Sequence, residues 1–189
     1  MLAEYQLTLT PKTLEDANPQ ARTLLENAKA QIGFIPNMYA RMAHSPGLLA
    51  TYLDGYTRFR EQSGFTPVEQ EVVFLTISRE NGCEYCMGAH SVIADAMSKV
   101  PTAVTDALRA GAPIPDAQLA ALSQFARVMV VERGLPSRAE VDQFLSAGYS
   151  ERHILEIVLA IAVKTLSNYA NHLFHTPLDE VFAARAWKD

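Results

Sequence analysis

The chain has 189 residues, 49% of them hydrophobic and 20% charged, the profile of a globular domain rather than a disordered chain. Its formal net charge of −5, from 16 basic and 21 acidic residues without a basic cluster, argues against nucleic acid and anionic membranes as partners. The most apolar run, "ILEIVLAIAV", is too short to span a bilayer and carries Glu156, and "MLAEYQLTLTP" lacks the basic start and long apolar stretch of a signal peptide, so the expected compartment is the cytoplasm.

Residues 1–15 read as a loosely attached lead-in to one domain spanning 1–189. "ANPQARTLLENAKAQIG" reads as a helix stopped by Gly33, and "IPNMYARMAHSP" as a short helix ending near Pro46. In "PGLLATYLDGYTRFREQSG", Leu49, Tyr52, Leu53, Tyr56 and Phe59 recur at three- and four-residue steps, as an amphipathic helix requires. "TPVEQEVVFLTISREN" opens with Thr66 as N-cap, Pro67 in the first turn and Glu69 placed to complete a capping box. Gly82 interrupts, and "CEYCMGAHSVIADAMSKV" predicts the next helix, ending before Pro101.

The second half continues in the same style. Helices are expected in "PTAVTDALRAG", "DAQLAALSQFARVMVVERG", "SRAEVDQFLSAG" and "SERHILEIVLAIAVKTLSNYANHLF", with Ser137 and Ser150 as caps. "VMVV" favours a strand by composition but lies inside a helical pattern. No series of alternating strands occurs, so the fold class is all-α. A shift of 85 residues sets Glu71 on Glu156, Val73 on Val158, Arg79 on Lys164, His90 on His175, and Cys83 and Cys86 on Asn168 and Asn171. This raises an internal duplication of a helix pair, with chance similarity of two helical stretches as its rival.

The two cysteines of the chain, Cys83 and Cys86, stand three apart, and His90 follows four residues later. On a helix the three side chains fall within an arc of about 60°, so the sulfurs can meet and the imidazole can reach Cys86. If the helix begins near Gly82, Cys86 lies in its first turn, where free N–H groups and the helix dipole favour a thiolate. A hairpin about Gly82 would carry Glu71 towards His90, giving a nucleophile, a base and a group that orients the base. This reading needs sulfurs that can be reached and that point the same way. Two other readings stay open: a pair of buried thiols acting as small apolar groups, and a metal site in which Glu71 joins the two sulfurs and His90.

Glu71, eleven intervening residues and Cys83-x-x-Cys86-x-x-x-His90 resemble the active-site signature of the alkylhydroperoxidase AhpD-like family, within the carboxymuconolactone decarboxylase superfamily. Upstream, "GFIPNMYARMAHSPGLLATY" resembles the subgroup of peroxidase-related enzymes, so the likeness covers roughly residues 30–100. The resemblance implies an AhpD-like helical bundle, homo-oligomers such as trimers or hexamers, and thiol-dependent reduction of peroxides without metal or organic cofactor. It implies Cys86 as the peroxidatic cysteine, Cys83 as the resolving one, and His90 and Glu71 as a proton relay. It also implies two partners, a peroxide substrate and a dithiol reductant of lipoyl type or a small thiol. The chain departs from some members in having Tyr85 where they have histidine; a phenol shuttles protons poorly at neutral pH but can donate a hydrogen bond to peroxide. The competing expectation is a helical homo-oligomer without redox work, either a metal-binding module or a decarboxylase-type scaffold. Decarboxylases of the superfamily do not depend on such a dithiol.

The remaining histidines draw weaker expectations. His44 reads as a helix-end residue and His153 as part of a first helical turn. His172 and His175 lie near a helix C-terminus, and His175 with Asn168 and Asn171 is a candidate to line a neighbouring cleft. Glu156, within an apolar helix suited to a core or subunit contact, needs a partner that the sequence does not name.

Overall fold

A computed structural model describes residues 2–188; Met1 and Asp189, the ends of the expected domain, lie outside the described residues. Nine α-helices and a closing 3-10 helix account for the regular structure among the described residues, as an all-α fold requires. In chain order they are α1 (Pro19–Ile32), α2 (Asn37–Met42), α3 (Pro46–Gln62), α4 (Pro67–Glu80), α5 (Glu84–Ala96), α6 (Thr102–Ala110), α7 (Ala117–Val131), α8 (Arg138–Ser146) and α9 (Glu151–Phe174). The 3-10 helix is Glu180–Arg185.

Local chemistry sets most helix starts. Asn18 caps α1 by accepting from the Ala21 N–H at 2.8 Å, with Pro19 preset for the first turn. Thr66 and Glu69 form the expected capping box on α4, and Ser137 and Glu140 form another on α8. At α9 the same reciprocal arrangement uses His153, whose Nδ1 accepts from the Ser150 N–H at 3.0 Å. "VMVV" closes α7 as helix, because the apolar face of α7 packs along α4 and tertiary burial overrides a weak strand preference.

α4 is the central element. Nine consecutive residues, Gln70 to Ser78, are buried, because α5, α6, α7 and α9 all pack on it. A helix with no solvent face must satisfy its polar side chains internally. Thr76 and Ser78 do so by bonding back to the carbonyls of Val72 and Phe74 at 2.7 and 2.6 Å. Glu71 cannot reach its own backbone in this way, and that need builds the site described below. α9 crosses the other flank against α3, which approaches so closely at Gly55 that a Cβ there would stand 2.8 Å from Val163 Cγ2.

α9 is 24 residues long, and by length and composition it passes as a candidate membrane span. Here it packs against α2, α3, α4, α5 and α7, as a core helix does. It also bears on the duplication raised above. The 85-residue shift sets the Gly82 turn on Ser167, inside α9, and the end of α5 beyond the end of α9, so it pairs two helical stretches and not two hairpins. Glu156, left without a partner by the sequence, lies 3.6 Å from Arg152 one turn earlier. In the N-terminal segment the Ala3 and Leu7 N–H groups donate to the carbonyls of His172 and Leu173, and the Lys12 N–H to that of Ala40. His44 bonds the Thr10 carbonyl at 2.6 Å and His175 that of Ala3 at 2.7 Å.

Candidate active site

The turn between α4 and α5 fixes the dithiol. Gly82 takes a left-handed φ of 65°, and the Cys83 N–H folds back onto the Ser78 carbonyl at 2.9 Å. The chain then reverses into α5, with extended Cys83 as its N-cap and Cys86 in its first turn. The helix thus begins one residue later than a start at Cys83 would have it, and Cys86 keeps the expected place in its first turn, at the positive end of the helix dipole. The two thiols are free, and they lie within hydrogen-bonding reach of each other.

α4 and α5 do bring Glu71 to His90. Glu71 Oε2 lies 2.9 Å from His90 Nδ1, and both residues are buried. A carboxylate only accepts, so the imidazole N–H sits on Nδ1 and the basic lone pair is left on Nε2. The other Glu71 oxygen accepts from Arg60 of α3, a residue that the sequence reading did not single out. Arg60 is held in turn by Tyr56 Oη at 2.8 Å and Gln70 Oε1 at 3.1 Å. Burial pushes the Glu71 carboxyl up, but His90 and Arg60 outweigh it and hold it below the ordinary value. Burial, helped by Lys164, lowers His90 despite the opposing pull of Glu71, so the ring is neutral near pH 7.

α9 closes the site from the far side and supplies four side chains, two of which the sequence reading missed. Asn171 Nδ2 lies 3.4 Å from Cys86 Sγ and 3.8 Å from Cys83 Sγ, close enough to donate to either sulfur. Cys86 Sγ is 4.0 Å from Ser167 Oγ. Asn168 accepts from Asn81 at 2.8 Å, at the turn itself. Lys164 is fully buried over the Phe74 ring, 5.4 Å from its centroid, and its ammonium has no hydrogen-bond partner. Burial works to raise the Cys86 thiol. The Cys83 hydrogen bond, Lys164, His90 and Ser167 together overcome it and bring Cys86 well below an ordinary thiol. Cys83 goes the other way, raised by burial and by its bond to Cys86. The sequence assigned Lys164 and Ser167 no role at the site, since they are ordinary residues of an apolar helix some eighty positions away.

Tyr85 differs from expectation. Its hydroxyl donates to Asp179 Oδ2 at 2.5 Å, and Asp179 also accepts from the Asn37 N–H at 3.1 Å. The phenol proton is therefore committed to the C-terminal segment and is not on offer to a peroxide. Among the described residues no group of three or more His, Cys, Asp or Glu is arranged to hold a metal, and both Glu71 oxygens are engaged by His90 and Arg60.

Both sulfurs point into the same region, yet neither lies open. Cys83 is 0% and Cys86 2% exposed, and each is among the residues that line a cavity. The larger, about 980 Å³, reaches Cys86 and His90 between walls that include Met38, Tyr39, Tyr52 and Phe182. The smaller, about 400 Å³, reaches Cys83 and Asn171 beside His172, His175 and Trp187. Tyr85 borders both. His175 and Asn171 do line a cleft at the dithiol, whereas Asn168 is not among the residues lining it.

The carboxymuconolactone decarboxylase family model matches residues 46–128, a stretch that holds α3 to α5 and every residue of the Glu71–Cys83–Cys86–His90 set. Over that stretch, somewhat under half of the chain, the sequence is similar to the carboxymuconolactone decarboxylase family. No curated protein sequence matches it. Among solved structures, a peroxidase-related protein from Ralstonia eutropha JMP134, described as an alkylhydroperoxidase AhpD core, is 22% identical with a TM-score of 0.81 over 92% of this chain and 93% of that one. A peroxidase-related protein from Silicibacter sp. TM1040 is 20% identical, with a TM-score of 0.79 over 97% of each chain. A cysteine-to-alanine variant of the debrominase Bmp8, in complex with 2,3,4-tribromopyrrole, is 19% identical, with a TM-score of 0.76 over 95% of this chain and 96% of that one. At these identities the likeness establishes the AhpD-like helical fold.

Proposed function

We propose that this AhpD-like protein reduces organic hydroperoxides by cycling Cys86 and Cys83 between dithiol and disulfide. One observation carries the reading: Cys86, the thiol held low, shares the larger cavity with His90, whose Nδ1 is occupied by Glu71. Nε2 of His90 is then the base for the Cys86 proton. The thiolate attacks the distal peroxide oxygen and the O–O bond breaks. Oxygen leaves as the alcohol, with the proton His90 holds, and Cys86 becomes a sulfenic acid. Cys83 attacks that sulfur, water departs and the disulfide closes. One peroxide and two thiols thereby become one alcohol, one water and one disulfide. The resolving step suits Cys83, which is already within hydrogen-bonding reach. A dithiol then returns two electrons and two protons.

The apolar and aromatic walls of the larger cavity favour an organic chain over hydrogen peroxide. The same walls also suit a flat halogenated ring, and the debrominase of similar fold makes this the second reading. Replacing a ring bromine by hydrogen likewise consumes two thiols and yields a disulfide and hydrogen bromide. The cytoplasm, where dithiol reductants are maintained, suits either cycle, and homo-oligomers of the kind the resemblance implies are part of the proposal.

The test is mass spectrometry of reduced protein after one equivalent of cumene hydroperoxide or of tribromopyrrole. The expected product is a Cys83–Cys86 link formed with the hydroperoxide, and Cys86→Ser should abolish turnover by about a thousandfold or more. Bromide release with inert hydroperoxide would transfer the assignment to debromination. Thiols indifferent to both would leave a scaffold without redox work.

A further inference from the structure

We propose that the smaller cavity is the entry site for a compact dithiol reductant, which attacks the disulfide at Cys83 while the oxidising substrate uses the larger cavity at Cys86. The inference deepens the dithiol cycle proposed above by giving each half-reaction its own door. Cys83 is among the residues lining the smaller cavity but is 0% exposed, so a reductant approaching from that cavity must displace the side chains that cover the sulfur.

The residues lining the smaller cavity also hold polar groups with unused hydrogen-bonding capacity. Three buried side-chain atoms have no hydrogen-bond partner and belong to residues that line it: Asn171 Oδ1, His172 Nε2 and Thr176 Oγ1. Asn171 is 3% and Thr176 9% exposed, so neither is served by bulk water. Leu178 and Trp187 add apolar wall. At about 400 Å³, the space takes a short apolar chain with a few polar atoms. Asn171 links this ligand site to the chemistry, because its amide nitrogen lies on both sulfurs.

The direction of attack follows from the thiols themselves. A thiolate of the reductant bonds to Cys83 Sγ, the Cys83–Cys86 bond breaks, and Cys86 leaves as thiolate. The second thiol of the reductant then attacks its own sulfur in the mixed disulfide and releases Cys83. The reductant ends as a disulfide, and its two protons end on the enzyme. The better leaving thiol is the more acidic one, and that is Cys86, steadied by Lys164, His90 and Ser167.

To separate the entry site from the peroxide chemistry, the disulfide is first made with diamide, and its reduction by dithiothreitol is followed by the fluorescence of Trp187, the single tryptophan. Ala186→Phe, which narrows the cavity wall, should slow this reduction by about tenfold or more, with hydroperoxide-driven closure changed by less than about twofold. Thr176→Val, which removes one unpartnered hydroxyl at constant volume, should slow reduction in the same sense. Acid-quenched reaction of the oxidised wild type with 2-mercaptoethanol should place the adduct on Cys83. Reduction unaffected in both variants, both half-reactions slowed alike, an adduct on Cys86, or failure of diamide to link the two cysteines would each overturn the proposal. If hydroperoxide fails to close the disulfide while the other results hold, the peroxidase reading falls and the entry site at Cys83 stands.

Discussion

Two sides of the dithiol are furnished differently. On the side of α3, α4 and α5, Glu71 binds Arg60 and His90, and Arg60 binds Tyr56 and Gln70. On the side of α9, Lys164 Nζ, Asn168 Nδ2 and Asn171 Oδ1 are buried without hydrogen-bond partners. Buried polar groups are almost always paired, so the contrast sorts the residues by when they act. The first side is complete in the resting protein and holds a base in one tautomer. The second side has unused capacity that would serve the species of the proposed cycle: a thiolate, a sulfenic acid, an incoming reductant.

The largest test of this contrast is Glu71→Gln. It leaves Arg60 and His90 facing a neutral amide and should cost about 3–5 kcal/mol, read from urea unfolding. The wild-type pH profile should carry the same signature. Burial keeps His90 below the ordinary imidazole value of 6.5, so the unfolded chain takes up a proton first and stability falls as the pH drops below that value. Glu71, held below 4.5 by His90 and Arg60 against its burial, adds a second loss as the pH falls below that. In Glu71→Gln this second limb should shrink to what the other lowered carboxylates, such as Asp16 and Glu140, contribute.

Substitutions on α9 should act on chemistry more than on stability. Asn171→Ala removes a donor from both sulfurs and should cost about 1–2 kcal/mol while slowing both half-reactions. Lys164→Met deletes a buried ammonium that has no hydrogen bond, so stability should hold or rise, whereas iodoacetamide alkylation of Cys86 at neutral pH should slow by roughly three- to tenfold. Ser167→Ala, whose hydroxyl is 4.0 Å from Cys86 Sγ, should change stability by less than about 0.5 kcal/mol and alkylation only slightly. A collapse of the fold in Lys164→Met would erase the distinction between the two sides.

The legible part of the site lies within twenty residues of sequence. Glu71, Cys83, Cys86 and His90 sit on neighbouring helices joined by one tight turn, so helical periodicity and Gly82 were enough to bring them together. Caps at Thr66 and Ser137 were equally local and equally readable. Arg60, Lys164 and Ser167 were not, because their roles come from how α3 and α9 pack on α4 and α5, and no spacing rule reports helix packing. Tyr85 was read as facing substrate because its tie to Asp179 spans 94 positions. The shift that set Asn171 on Cys86 paired two residues that do touch, but as partners across the core rather than as copies of one another.

The buried ammonium of Lys164 has one more effect. In the proposed cycle it would gain a counter-charge when Cys86 is a thiolate and lose it when the two sulfurs are joined, and so would favour the reduced protein over the oxidised one. That bias would make the disulfide a stronger oxidant than an unassisted pair. Equilibration against a glutathione redox buffer should accordingly find Lys164→Met at a more negative midpoint potential.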